Sequence, residues 1–414
     1  MSTHTTDAGW GNRLLIYGHD TYGLGHLRRN LAIAHHLSQA IPDLSTLLLT
    51  GSPIAQNFWL PDRTDYVKLP SVVKIGDEQY RARDINLPPD RVTSLRAAVI
   101  AETASYFAPH VFLVDHSPLG MKGELLLGLR RLRRDCPSTR LVLGLRDILD
   151  EPAKVRAQWL AQGVYDSIEE LYDAILIYGQ ADIFDPVKAY AFPRVLAART
   201  HFCGYIQREE PRGAAKELRA ELGVGADPFV LVTTGGGGDG MALENAVIDA
   251  FPLIRNHHPI LRAVIVTGPL LPDNERTQLE RCCPAGSPIT VLPFHADMPG
   301  LMRAADLVVS MGGYNSMCEI VSSCTPALIV PRATPRKEQH IRAHAFAQRG
   351  LVDMLPEAEL TPDRLARAMR HALSRARGTC ATKAVWDGGG LTRIATHIAD
   401  LLPARANSRR RASA

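Results

Sequence analysis

The sequence predicts an α/β protein of two Rossmann-like, doubly wound domains facing a cleft. Three observations carry this expectation. Short, unbroken apolar runs recur at helix-length intervals along the 414 residues. A charged stretch rich in Pro and Gly divides these runs into two sets of similar size. Each set contains glycine-built junctions between a strand and a helix, at the place where open α/β sheets bind ligands.

In the first half the runs lie at residues 14–17, 46–49, 111–114, 141–143 and 174–178; in the second they lie at 229–232, 263–266, 289–292, 307–309 and 327–330. Continuous apolar runs, rather than alternation, suit strands buried on both faces of a parallel sheet. The intervals between them supply the crossover helices. Residues 207–227 are charged, hold Pro211, Gly213, Gly223 and Gly225, and precede a fresh strand. The expected organisation is a tail over 1–12, a first domain over 13–206, a linker over 207–227, a second domain over 228–386, a final helix over 387–402 and a basic tail over 403–414.

Composition bounds the function. With 46% hydrophobic and 22% charged residues, there is enough apolar material for two cores. The net charge of +4 is mild, and much of the excess sits in Arg405, Arg409, Arg410 and Arg411. Such a tail suits solubility, with contact to an anionic membrane surface as the alternative. No nucleic-acid module is expected. No apolar run approaches the about 18–20 residues of a spanning helix, and residues 1–12 lack the layout of a signal peptide. The expectation is a cytoplasmic protein with at most peripheral membrane contact. The seven cysteines have no CxxC spacing and are expected as reduced thiols, with no metal site.

The second half carries the densest motif. The strand at 306–310 runs into Met311-Gly312-Gly313-Tyr314-Asn315-Ser316. Adjacent glycines allow a tight turn and close approach of a ligand. A helix starting near Tyr314 aims free N–H groups and its positive dipole end at that gap, which suits phosphate. Glu319, one turn on, can accept bonds from the two hydroxyls of a ribose. After the next apolar run come Pro335-Arg336-Lys337-Glu338-Gln339, where Glu338 and Gln339 can read further hydroxyls. Gly312-Gly313 alone reads equally well as a plain turn; the ordered set describes a nucleotide-sugar. Four consecutive glycines, Gly235 to Gly238, follow another strand and suit a backbone pressed against a ligand, Gly236 and Gly237 above all; a loop without function is the alternative. No Asp-x-Asp occurs, so phosphate charge would fall to N–H groups and to Arg332, Arg336 and Lys337.

The first half offers a candidate base. Gly23-Leu24-Gly25 opens a dinucleotide fingerprint, but Arg28 stands where its third glycine belongs. What remains is a glycine turn that puts His26 at a helix N-terminus, where the dipole disfavours the charged imidazole. A packing or capping His is the plain alternative. Asp115, after the strand at 111–114, is a second candidate base or an orienter of His26. Arg146 lines the cleft or forms a salt bridge with Asp147. Gly23, Gly25, Arg28 and Arg146 make up the acceptor side of the expected site. His35-His36 and His257-His258 read as structural.

The order of elements over 306–339 resembles the donor half of GT-B glycosyltransferases, closest to the inverting, family 28-like group of the peptidoglycan N-acetylglucosaminyltransferase. The whole chain also resembles a bacterial group of predicted glycosyltransferases, matched for example by residues 143–150. The resemblance implies a GT-B fold in which amides around Gly312, Gly313, Tyr314, Asn315 and Ser316 hold the diphosphate. It implies that Glu319 holds the ribose and that Glu338 and Gln339 face the sugar, although the family often has Gln-Gln there. It implies that His295, after Phe294, meets the base through its backbone, which favours uracil, and that the last helix crosses back onto the first domain. A Gly-x-Gly-His loop with a base or near-reacting His stands where His26 stands. The implied activity is transfer of a sugar from a UDP-sugar donor to an unidentified acceptor hydroxyl, with inversion, without metal and without a cofactor. A nucleotide-sugar hydrolase, a UDP-sugar 2-epimerase or a non-catalytic nucleotide-sugar-binding protein would use the same residues.

Overall fold

The computed structural model describes residues 11–19, 25–76, 79–207, 213–236, 238–375 and 385–403. The first domain holds β1 (Arg13–Gly18), β2 (Ser45–Thr50), β3 (Thr64–Lys68), β4 (Val72–Gly76), β5 (Gln79–Ala82), β6 (Val111–Asp115), β7 (Arg140–Arg146), β8 (Ala174–Tyr178) and β9 (Thr200–Phe202). The second holds β10 (Phe229–Thr233), β11 (Arg262–Val266), β12 (Ile289–Leu292), β13 (Leu307–Ser310), β14 (Ala327–Ile329) and β15 (Asp353–Met354). All ten apolar runs are strands. The strands without such a run are β4 and β5, which form a separate antiparallel hairpin, and the short or partly exposed β3, β9 and β15.

Two parallel sheets result, in the orders β3-β2-β1-β6-β7-β8-β9 and β12-β11-β10-β13-β14-β15. In each, the winding reverses at one pair: β1 beside β6, and β10 beside β13. Crossovers leave such a pair in opposite directions, so the loops at its carboxyl ends splay apart and open a crevice. Gly18 is in register with Asp115 at the first switch and Thr233 with Ser310 at the second. The His26 and Asp115 loops therefore share one crevice, and the loops at 234–240 and 311–313 share the other.

The stretch expected as a linker is in part structured. Helix Ala215–Glu221 buries Leu218, and Arg219 donates to the carbonyl of Ala304 at 2.6 Å, which docks this stretch on the second domain. The final helix, Gly390–Leu401, buries Ile394, Ala395 and Ile398 and packs against helix Gly25–Ala40 of the first domain. Cys324, in the left-handed turn that ends helix Tyr314–Ser323, is disulfide-bonded, which corrects the expectation of seven reduced thiols. No helix among the described residues is long and apolar enough to cross a membrane.

The domains meet through a buried ion pair. Arg342 Nη2 lies 2.8 Å from Asp147 Oδ1, Arg342 Nε bonds both carboxylate oxygens, and both side chains are 0% exposed. Tyr205 stacks on Trp386 at 4.2 Å, and the backbone N–H of Ile206 donates to the Tyr314 hydroxyl. Removing one partner strands the other charge in the interior. Asp147→Ala is therefore expected to cost about 3–5 kcal/mol, whereas a paired apolar replacement, Asp147→Leu with Arg342→Met, restores most of it. Urea denaturation checks this; a single-mutant loss below about 1 kcal/mol would show that the pair is not sealed from water.

Candidate active site

At the first switch point one helix face supplies two ligands to one carboxylate. His26 and Arg29 are three residues apart in helix Gly25–Ala40 and so lie side by side. Arg29 Nη2 donates to Asp115 Oδ2 at 2.6 Å and to Oδ1 at 2.9 Å, and its Nε donates to Oδ1 at 3.0 Å. His26 Nδ1 lies 2.6 Å from Asp115 Oδ2. Burial alone would raise the Asp115 pKa, but the Arg29 charge and the His26 contact outweigh it and hold the carboxyl well below its usual range. It is a carboxylate, and both its oxygens are committed.

The ionised partner fixes the His26 tautomer. Arg29 Nη2 also lies 2.9 Å from His26 Nδ1. Two donors cannot bond each other, and the carboxylate contact is the shorter, so Nδ1–H donates to Asp115 and Nε2 keeps its lone pair. Burial lowers the His26 pKa, Asp115 opposes this, and the charges of Arg29 and Arg146 add to the lowering. The sequence reading assigned the neutral state to the helix dipole; burial and neighbouring cations account for it here.

Two further imidazoles stand close by. The His116 ring is 5.1 Å from His26 and the His19 ring is 6.1 Å from His26. Burial first, then nearby positive groups, push both well below the ordinary imidazole value. His116 has a φ of 74°, a left-handed conformation that costs a non-glycine residue about 1–2 kcal/mol. Its Nδ1 is buried without a partner. Arg146, at the end of β7, does not pair with Asp147, which belongs to Arg342. Its Nη2 is 3.5 Å from His116 Nε2, its Nε is buried without a partner, and burial followed by Arg29 and Arg342 pushes its pKa down to about 10.

The second crevice has the glycine turn and helix that the sequence predicts. Gly312 has a φ of 78°, and a Cβ there would come within 2.8 Å of Ile329, so no other residue fits. Gly313 has open space beside it. Helix Tyr314–Ser323 follows, with Glu319 buried one turn in. Arg332 bonds Glu338 at 2.9 Å and pairs with Asp239 at 3.2 Å, while the Arg332 N–H donates to Gln339. Glu338 Oε2 is left buried without a partner. The carbonyl of Gly236 is anchored by the N–H of Leu270 at 3.0 Å. His295 is engaged locally, accepting from the Asp297 N–H and facing Glu221. Tyr314 and Ser316 are placed at the helix start, the former with its hydroxyl turned to Ile206.

A direct hydrogen bond joins the crevices. Asn315 Nδ2 donates to the carbonyl of Gly25 at 3.0 Å, so the helix start of the second domain touches the residue before His26. Gly23 and Gly237 lie outside the described residues, and Arg28 is half-buried on the same helix. Arg29 and Arg342 escaped the sequence reading, and His19, His116 and Asp147 were given no role of their own in it. Helical spacing from His26 would have selected Arg29 over Arg28.

Residues 229–384 match the glycosyltransferase family 28 C-terminal domain. The chain has the GT-B fold, and the family match covers its second domain. It is 31% identical over 164 residues to the UDP-N-acetylglucosamine–N-acetylmuramyl-(pentapeptide) pyrophosphoryl-undecaprenol N-acetylglucosamine transferase of Carboxydothermus hydrogenoformans, covering 39% of this chain and 43% of that one. It is 29% identical over 197 residues to the enzyme of the same name from Corynebacterium efficiens, covering 45% and 51%. The match thus spans about half the length of these relatives. Among solved structures, Acinetobacter baumannii MurG superposes with a TM-score of 0.57 at 14% identity, covering 94% of this chain and 99% of that one. A UGT transferase from Siraitia grosvenorii in complex with UDP gives 0.62 at 14%, with coverage of 94% and 99%. These structural likenesses establish the GT-B fold over both domains.

The electrostatics give a testable titration. A lowered pKa keeps His26 neutral above its midpoint and charges it only below. Its NMR titration is expected to have a midpoint below about 6.5, and Asp115→Asn, by removing the opposing influence, to move it lower still. A midpoint at or above the ordinary value would contradict the burial argument.

Proposed function

We propose that this protein is a glycosyltransferase that moves a sugar from a UDP-sugar to an acceptor hydroxyl, with inversion and without metal. The observation that carries the reading is the contact of Asn315 with Gly25. It sets a glycine turn and helix start of the kind that holds a diphosphate directly against the loop that carries a neutral, oriented imidazole. The family 28 match over 229–384 and the UDP-N-acetylglucosamine in the names of the relatives support the donor class.

In this reading the donor lies along the second crevice. Amides at Gly313 to Ser316 meet the diphosphate, Glu319 the ribose hydroxyls, and Gln339 with the unpartnered Glu338 Oε2 the sugar. The acceptor enters over the first domain. His26 Nε2 takes the acceptor proton as its oxygen attacks the anomeric carbon opposite the departing diphosphate. Asp115 holds the imidazole tautomer and is the orienter rather than the base, because Arg29 already neutralises it. Leaving-group charge is met by fixed N–H dipoles and cations, which need no metal. Activity abolished by EDTA and restored by Mg²⁺ would end that part of the proposal.

Two substitutions separate binding from chemistry. Glu319→Ala is expected to weaken UDP binding by about ten- to a hundredfold with the fold intact, since it removes a charged hydrogen-bond partner; calorimetry that finds UDP affinity unchanged takes Glu319 out of the site. His26→Ala is expected to leave UDP affinity in place and to lower kcat by about 10²–10⁴. Near-normal turnover per folded molecule removes His26 as the base. Product analysis of the parent enzyme tests the reaction class: free sugar without an acceptor would mark a hydrolase, and an altered sugar still on UDP an epimerase.

A further inference from the structure

We propose that Glu244 is a positioning residue of the donor crevice, a neutral carboxylic acid whose O–H supports the Thr234 hydroxyl and, through it, the turn at Gly235 and Gly236. The inference rests on the transferase reading above and adds a residue to its donor side. Glu244 lies in the first turn of helix Met241–Arg255, which follows the loop after β10, and it is 0% exposed. Its Oε1 lies 2.9 Å from Thr234 Oγ1, and Thr234 Oγ1 lies 3.2 Å from the carbonyl oxygen of Thr267. The next residue, Gly268, comes so close that a Cβ there would stand 2.5 Å from the backbone of Gly236, and the Leu270 N–H holds the Gly236 carbonyl at 3.0 Å. Further along the same loop, Asp239 pairs with Arg332, which bonds Glu338. The support under Thr234 therefore reaches both the glycine turn of the donor crevice and the loop assigned to the sugar.

Hydrogen counting fixes the protonation state. A hydroxyl has one hydrogen. The Thr267 carbonyl can only accept, so the Thr234 hydrogen goes to it, and the bond to Glu244 then needs a hydrogen on the carboxyl group. An ionised Glu244 would take the Thr234 hydrogen instead and set the Thr267 carbonyl against an oxygen with nothing to donate. It would also seal a charge from water, with Oε2 buried and without a partner. Among the described residues no cation pairs with Glu244. Two helices pack against Met241–Arg255. From Asp273–Cys282 the group that acts on Glu244 is Glu275, a like charge; from Pro362–Leu373, which carries Asp363, Arg364, Arg367, Arg370 and His371, none does. Burial raises the Glu244 pKa to about 7, against the Thr234 contact, and Glu275 adds to the rise. A raised folded-state value means that the neutral form, and its support of the turn, is complete in mild acid and is lost as pH climbs through about 7.

The test measures UDP affinity by calorimetry, and the melting temperature, for the full-length parent and Glu244→Gln at about pH 6 and about pH 9. Glutamine keeps a donor at the same place and cannot ionise. The two proteins are expected to bind UDP equally at the lower pH, and the parent about tenfold more weakly than E244Q at the higher. Titration of UDP itself and of other side chains is common to both and cancels in the ratio. The parent is also expected to melt below E244Q at about pH 9 but not at about pH 6. Thr234→Val, which cuts the relay without adding a charge, is expected to bind UDP about tenfold more weakly than the parent at about pH 6. A ratio of parent to E244Q affinity that does not move with pH overturns the proposal, as does a Thr234→Val that binds UDP like the parent. So does an E244Q that is weaker at both pH values, because a carboxylate would then be what the turn requires. Absence of UDP binding in the parent at both pH values strikes the transferase reading instead, and the melting comparison then decides whether Glu244 is neutral.

Discussion

The arrangement of the cleft depends on the ion pair between Arg342 and Asp147. Both groups are fully buried, so each lost its hydration on folding, and their mutual attraction roughly offsets that loss. The pair is a weak source of stability but a strict constraint on geometry. Arg342 also donates to the carbonyl of Gly312 at 3.3 Å and to that of Ile148. One guanidinium thus ties the donor-side turn to the carboxyl edge of the first sheet. Any sliding of one domain on the other would break several charge-assisted bonds in a place that water cannot reach. The contact between Asn315 and Gly25 is a second tie, beside His26.

With the domains fixed, the charge balance of the first crevice follows. Asp115 is neutralised by Arg29, and Arg146 stands nearby with no carboxylate paired to it among the described residues. In that setting an imidazolium is disfavoured twice, by burial and by its cationic neighbours. His19, His26 and His116 all respond in the same direction. A neutral imidazole with one nitrogen occupied and the other free is the state that general-base catalysis requires. Arg29 thus shapes the site through its hold on Asp115 and its charge beside His26.

The architecture was legible because it is written in runs of residues. Each buried parallel strand needs several consecutive apolar positions, and all ten such runs became strands. Strands that lack a run, such as β3 and β15, lie at sheet edges or are very short and left no pattern. On the donor side, Gly312 was legible because its positive φ and the contact with Ile329 admit glycine alone. Arg29, His116 and Arg342 were not. Their partners are 86 residues away for Arg29 and 195 for Arg342, and nothing local distinguishes them from solvated charges.

The two halves of the site differ in what reads the ligand. Around Gly312 to Ser316 the groups offered are backbone amides, whose positions are set by dihedral angles and hence by glycine and a helix start. Such a device constrains the sequence directly, and the family match over 229–384 covers it. In the first domain the groups offered are side chains on loops after β1, β6 and β7, and any of them can change while the sheet stays the same. A scaffold of this kind keeps one donor site and varies the other surface. The chemistry particular to this chain therefore has to be sought where pattern is weakest and the side chains are most specific. That place is the first-domain wall of His19, His26 and His116, with Arg146 beside it.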